Sequence, residues 1–316
     1  MNSTCFDNNG EVPHAVPDRR AVEEFARSLD FEAIGFARVE PVRAENTEHY
    51  RRWIASHRNG EMGYLERYDD IRENPALLLE SARTIIVVAL NYFPSRLQDP
   101  DRPQFAYYAY GRDYHEVLRD RLFALGAFIK ERYGGEVRPC VDTVPIRERY
   151  WAVKAGLGFV GKNSQLIIPD KGSYFFLGEL LTSVEFEPTQ PCELSCGDCN
   201  ECIKACPGKA IRQNCQIDAR HCLSYLTIEH RGELPPDVDL GNHVYGCDDC
   251  QRACPYNRFA HPTTVAEFSP SDAFLALDRD AILEMTPSEF SEIFRHSAVR
   301  RARLEGLRRN ALRIKG

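Results

Sequence analysis

Between Cys196 and Cys254 the sequence holds eight cysteines in two sets, each closed by a proline. They are Cys196-Gly-Asp-Cys199-Asn-Glu-Cys202-Ile-Lys-Ala-Cys206-Pro207, and Cys222 followed by Cys247-Asp-Asp-Cys250-Gln-Arg-Ala-Cys254-Pro255. The first set is a C-x2-C-x2-C-x3-C-P run, a spacing that wraps three thiolates around one iron–sulfur cubane and sends the fourth to its neighbour. The second repeats the pattern with its first ligand moved upstream to Cys222. Crossing the fourth cysteines assigns Cys196, Cys199, Cys202 and Cys254 to one [4Fe-4S] cluster, and Cys206, Cys222, Cys247 and Cys250 to the other. A structural zinc uses four ligands and would leave four thiols idle. Disulfides suit small exported domains, whereas this chain has 316 residues and opens Met-Asn-Ser-Thr-Cys-Phe-Asp without an apolar signal segment. The expectation is a cytoplasmic protein that moves electrons one at a time.

Those thiols must be positioned by an ordinary globular chain. With 43% hydrophobic and 28% charged residues it has material for two or so domains. The longest apolar run, Ile85-Ile-Val-Val-Ala-Leu90, has the length of a buried strand, and no membrane association is expected. The net charge of -7 is unevenly spread: from Arg295 to Gly316 eight basic residues face Glu305 alone, so this end is +7 and the remainder -14. Such a block is either a solvated helix face or a contact to a phosphate backbone.

Residues up to about 17 read as irregular, with Cys5 an exposed thiol. Periodicity predicts a helix over 18–29, a strand over 31–39 and another over 84–90, whose β-branched run suits a sheet covered on both faces. Asp113-Tyr-His-Glu116 has the pattern of a capping box ahead of an amphipathic run to Tyr133-Gly134-Gly135. Strands are expected again near 165–168 and 173–181. This alternation implies an α/β domain over 18–187. Strand signals then vanish, and cysteine loops with short helices mark a two-cluster domain over 188–260. A helical segment over 261–316 follows, basic from 295, with Thr286-Pro-Ser-Glu289 as a helix start.

Two motif-like strings carry less than they suggest. Gly156-Leu-Gly158-Phe-Val-Gly161 fits G-x-G-x-x-G, but a helix-like stretch precedes it where a dinucleotide-binding turn needs a strand, so Gly156 is read as a helix C-cap. Asp113-x-His115 matches the start of a cobalt-ligating motif of some corrinoid proteins. Leu118 stands where that motif needs Gly, and His115 is read as a first-turn helix residue.

Several further strings carry a resemblance: Val141-Asp142-Thr-Val-Pro145; Ala152-Val-Lys-Ala-Gly-Leu-Gly-Phe159 with Gly161-Lys-Asn163; Gly172-Ser-Tyr-Phe-Phe-Leu-Gly-Glu179; Asp218-Ala-Arg-His-Cys222-Leu-Ser-Tyr-Leu-Thr-Ile-Glu229; and Tyr245-Gly-Cys-Asp-Asp-Cys250. With them the chain closely resembles the epoxyqueuosine reductases from about residue 20 onward. The resemblance implies a nitroreductase-like α/β (α+β) cobalamin-binding domain followed by a ferredoxin-like domain. It also implies reduction of the epoxide of epoxyqueuosine to queuosine at the wobble position of tRNA, with electrons passing from two [4Fe-4S] clusters to cobalamin. The cluster held by Cys206, Cys222, Cys247 and Cys250 is then the one nearer the corrin, and no side chain ligates cobalt. Asp142 is implied as proton donor, which requires it to be neutral, so burial against the corrin should raise its pKa.

The same resemblance implies corrin contacts at Arg72, Ala106, Asp142, Leu166, Leu177, Ser224 and Asp248, those of Ala106, Leu166 and Leu177 through the backbone, and a tRNA contact at Arg149. Many members show Ser-Arg-Tyr where this chain has Ala106-Tyr107-Tyr108. Arg300, Arg301, Arg303, Arg308 and Arg309 are expected to meet anticodon-stem phosphates while the modified base is extruded toward the corrin. The expected partners are tRNA carrying epoxyqueuosine and an external low-potential donor such as flavodoxin or ferredoxin, acting on a monomer. Cys140, Cys192 and Cys215 are surplus to the eight ligands, and Cys140 is read as a small buried hydrophobe. A corrinoid iron–sulfur reductive dehalogenase shares the cofactor plan, but the basic tail, the Val-Asp-Thr-x-Pro string and the lack of an export signal argue against it. A ferredoxin-type electron carrier would leave the long region ahead of the cysteines without use.

Overall fold

The computed structural model describes residues 17–212 and 216–315. The expectations for the first residues, Cys5 and Cys215 lie outside them. Among the described residues the strands are β1 (Phe31–Arg38), β2 (Thr84–Asn91), β3 (Gln104–Phe105), β4 (Val137–Cys140), β5 (Phe159–Val160), β6 (Leu166–Ile167), β7 (Phe175–Thr182) and β8 (His243–Tyr245). The main sheet runs β1-β2-β7-β4. All three of its pairings are antiparallel, so the helix–strand alternation builds an α+β sheet and not the parallel one that alternation suggests.

β2 is buried at every position, as its β-branched run requires. Its alternating side chains supply two cores. Ile86, Val88 and Leu90 pack with Leu118, Leu122 and Leu125 of the Tyr114–Tyr133 helix, in a cluster that also takes Phe274, Phe294 and Leu307 from the C-terminal segment. Ile85, Val87 and Ala89 pack on the other face with Trp151 and Ala152 of the Glu148–Lys154 helix. That short helix ends as expected, with Gly156 at φ +76° just beyond it.

Two signals of the same type end differently. At Thr286 the capping box forms, the hydroxyl accepting from Glu289 N–H and the Glu289 carboxylate accepting from Thr286 N–H at 2.7 Å. At Asp113 it does not: Asp113 accepts from His115 N–H, and Glu116 is drawn to Arg112 and His296. The cysteine region also contains a strand where none is expected. β8 pairs in parallel with β3, and beside it Ala106 N–H donates to Tyr245 O at 2.7 Å, stitching the second cysteine set to the sheet domain. Among the described residues no helix is long and apolar enough to cross a membrane.

Candidate active site

Asp142 lies on the loop leaving β4, and the first turn of the Tyr114–Tyr133 helix meets it. Tyr114 OH donates to Asp142 Oδ2 at 2.7 Å, and His115 Nε2 lies 2.8 Å from the same oxygen. His115 Nδ1 lies 2.7 Å from Asp113 Oδ1, so both ring nitrogens face carboxylates, a setting that suits the imidazolium. The Tyr114 ring stacks on Phe176 at 4.3 Å and on His115 at 4.1 Å, which fixes both polar groups.

The expectation of a neutral Asp142 concerns burial against the corrin, and the residues around it act in the opposite direction. Burial pushes its carboxyl up, but the His115 and Tyr114 hydrogen bonds outweigh burial and hold it below the usual carboxylate range. The Asp142 side chain is 48% exposed, which limits what burial can do. For His115 burial acts downward, and the bonds to Asp113 and Asp142 overcome it, raising the ring to about 9. The proton therefore rests on His115. His115 is more than a first-turn helix residue, although nothing local in the sequence pairs it with Asp142.

β4 pairs with β7 only from Glu179 to Thr182, so the same edge of β7 is left open by β4 over residues 175–178, which include Leu177. Leu166 is buried in β6. Ala106 is also buried, its N–H donating to Tyr245 O and its C=O accepting from Ala109 N–H, with its methyl facing Gly246. Arg72 lies in the last turn of the Asp69–Glu73 helix and donates to Arg67 O at 3.2 Å. Arg149 is exposed and close enough to Asp142 and Glu148 to lower the pKa of both. Asp248 is buried between two cysteines and accepts from Tyr107 N–H at 2.7 Å. Burial raises it to about 6.

The thiols fall into two groups. Cys196, Cys199, Cys202 and Cys254 line one space with Lys162 and Asn163. Lys162 Nζ donates to Gly197 O at 2.9 Å, Cys199 O at 2.8 Å and Asn200 Oδ1 at 3.0 Å, pinning the loop that carries them. This explains the Gly161-Lys-Asn163 string, whose role the sequence did not disclose. Cys206, Cys222, Cys247 and Cys250 feel one another electrostatically, and Cys250 also feels Cys202, so the groups adjoin. Burial pushes Cys222, Cys247 and Cys250 up, and Ala210 N–H donates to Cys206 Sγ at 3.2 Å. Gathered, desolvated thiols with backbone donors are a fitting receptor for iron, which replaces their protons. Every described cysteine is free. Cys140 is wholly buried, with burial pushing its thiol to about 12, as expected of an interior hydrophobe.

In the C-terminal segment Arg300, Arg301 and Arg303 are exposed, with Arg301 held by Glu229 at 2.8 Å. Arg308 and Arg309 depart from the phosphate-contact expectation. Arg308 donates to Met285 O within the segment, and Arg309 to His230 O, Gly232 O and Leu226 O, so the Arg309 guanidinium ties the segment to the cysteine region.

A family model for a 4Fe-4S double cluster binding domain matches residues 195–257, so the class is a two-cluster iron–sulfur protein. A second model, for epoxyqueuosine reductase QueG, matches residues 72–143. The epoxyqueuosine reductase of Cellulophaga algicola is 38% identical over 270 residues, covering 84% of this chain and 88% of that one. A crystal structure of epoxyqueuosine reductase with an epoxyqueuosine-modified tRNA-Tyr stem loop superposes with a TM-score of 0.83 at 32% identity, covering 93% of this chain and 80% of that one. A Bacillus subtilis epoxyqueuosine reductase, with its catalytic-loop aspartate swung out of the active site, superposes at 0.84 and 31% identity with the same coverage. The chain belongs to the epoxyqueuosine reductase family.

Proposed function

We propose that the chain reduces the epoxide of epoxyqueuosine in tRNA to the alkene of queuosine, with the His115–Asp142 pair delivering the proton that the departing oxygen takes. The observation that carries this reading is the convergence of Asp142, His115 and Tyr114 beside an open sheet edge in a chain of this family. The catalytic loop of the B. subtilis relative is named for an aspartate, and the loop leaving β4 carries Asp142.

The family's cofactors are cobalamin and two [4Fe-4S] clusters, which together supply one-electron transfer and a strongly reducing cobalt at the substrate. The unpaired edge of β7 at Leu177, with the backbone of buried Leu166 and Ala106, suits an amide-rimmed ring, and Arg72, Ser224 and Asp248 would line it. Cys196, Cys199, Cys202 and Cys254 would hold one cluster; Cys206, Cys222, Cys247 and Cys250 would hold the other.

Toward the substrate, the residues orient and protonate. Tyr114 and His115 both bind Oδ2 of Asp142, which leaves Oδ1 free to face a ligand. As an oxygen departs, its rising basicity draws the proton that the pair shares. Arg149, Arg300, Arg301 and Arg303 would meet tRNA phosphates, with Arg303 beside Arg231 in an open groove. A flavodoxin or ferredoxin as external donor, and action as a cytoplasmic monomer, complete the reading.

The test is anaerobic turnover of epoxyqueuosine-containing tRNA with added cobalamin and a strong reductant, comparing the parent with Asp142→Asn. The variant should keep its corrinoid absorption and lose about 10²- to 10⁴-fold in turnover. Undiminished turnover would remove Asp142 from the role.

A further inference from the structure

Resting on that reading, a wobble base drawn toward Asp142 leaves its neighbours in the loop unstacked, and single-stranded RNA is held where such bases find an aromatic face. One exposed ring is prepared for that use.

Tyr64 is 43% exposed on the short turn Gly63–Glu66. Exposed tyrosines are common on their own, but the turn that carries this one is fixed on both sides. Before it, Met62 packs against Leu223, Tyr225 and Leu226, and Glu61 N–H donates to Tyr225 OH at 2.8 Å. After it, Leu65 O accepts from Tyr50 OH at 2.6 Å, and Glu66 accepts from Asn59 Nδ2 at 2.9 Å. A methyl built on the adjoining Gly63 would meet no atom of the described residues within 4 Å. The ring is held out over open space.

Arg301 covers one side of it. Its guanidinium carbon lies 5.6 Å from the ring centroid, and Glu229 holds the group there through Nε at 3.0 Å and a second nitrogen at 2.8 Å. That spacing admits no base between ring and guanidinium, so the opposite face is the one on offer. Arg231 extends the same surface, donating to Arg301 O at 2.9 Å and Ala302 O at 3.4 Å, and with Arg303 it lines the open groove. An aromatic face flanked by fixed cations suits single-stranded RNA: the ring takes a base and the cations take phosphates.

A chain of contacts joins this surface to Asp142. Arg301 sits on the turn Ala298–Ala302, and Ala298 O accepts from Tyr245 OH at 2.7 Å. Tyr108 OH donates to Tyr245 OH at 3.1 Å, and the Tyr108 ring lies edge-on to Tyr114, which binds Asp142. A second tie is direct: His296 O, just before the turn, accepts from Asp113 N–H at the start of the Tyr114–Tyr133 helix. Tyr64 and the proton-donating pair therefore share one framework.

We propose that Tyr64, backed by Arg301 and Glu229, is the stacking site for the nucleobase next to the one extruded toward Asp142, holding the anticodon loop in register with the proton donor. No bond forms or breaks there. The site selects a flat ring and is indifferent to which base carries it.

The experiment uses the full chain with clusters and cobalamin reconstituted and an epoxyqueuosine tRNA stem loop, read by binding and not by turnover. Parent, Tyr64→Phe and Tyr64→Ala are titrated with the intact loop and with loops made abasic on the 5′ or the 3′ side of the modified nucleotide. Tyr64→Phe should bind like the parent, and Tyr64→Ala roughly tenfold more weakly with an unchanged salt slope. One of the two abasic loops should weaken the parent equally, and on that loop Tyr64→Ala should cost nothing further. Parent-like binding by Tyr64→Ala overturns the stacking site. So does an equal Tyr64→Ala loss on the intact and both abasic loops, which makes Tyr64 a support of the fold. A parent that binds no stem loop removes the tRNA reading, and the site with it. 2-Aminopurine at each neighbouring position decides without any variant: in the parent complex one of the two should be quenched as a stacked base is, and full brightness at both overturns the proposal.

Discussion

The thiols of Cys196, Cys199 and Cys202 follow a loop whose flanks, from Glu193 to Ser195 and at Gly197 and Asp198, are exposed, whereas Cys222 and Cys247 pack against the buried side chains of Leu223, Tyr225, Leu226 and Leu240. Burial acts upward on thiols of both groups, at Cys202 and Cys254 in the first, but much farther at Cys247 and Cys250. One ligand spacing has therefore been set into two media, one near water and one close to core. Solvent exposure and hydrogen bonds to sulfur tune cluster potentials, so the groups should differ in potential as well as in access. On the proposed reading the outer group faces the donor protein and the inner group faces the substrate site, through Asp248 and its bond to Tyr107.

The strongest way to break this contrast is to remove one thiol from each group. Cys250→Ala should abolish turnover, by more than about 10³-fold, because the parts of such a chain act as a unit. Cys199→Ala should lose as much with a protein donor but recover part of its rate when a small reductant reaches the inner group directly. Equal losses under both donors would erase the distinction. A smaller effect is expected from pH. His115 is raised from 6.5 to about 9, so its protonated form is fully present below its ordinary value and is lost as pH rises through about 9. Turnover should fall along that limb by roughly tenfold per unit, and His115→Gln should flatten it. Smaller again, Lys162→Met should cost about 1 kcal/mol in the outer loop, read as faster bleaching of one cluster by a chelator with the other unaffected. The mildest changes are on the basic end. Arg300→Ala and Arg303→Ala should each lower the slope of tRNA affinity against salt by about 1, while Arg309→Ala should leave that slope alone and lower the melting temperature.

Legibility from sequence followed the range of the contacts. The cysteine spacing reports a loop geometry that neighbouring residues set for themselves, and the Ile85–Leu90 run needs only its own composition to declare a doubly covered strand. β3 and β8, two and three residues long, are too short for any alternation to show, so the parallel stitch between them was invisible. The capping strings at Asp113 and Thr286 look alike, and only the distant His296, with Arg112, decides that one box stays open. Asp142 became visible through its family string alone. Its charge state depends on His115 and Tyr114, twenty-seven and twenty-eight residues away.

The ladder between β3 and β8 has a consequence for biogenesis. The inner thiols come from three separated points of the chain, and the last two directly follow a strand anchored to residues far upstream. That pocket comes together only after β3 has docked, so iron loading there must trail folding, while the outer loop, with three thiols in one short turn, can capture metal as soon as it is made.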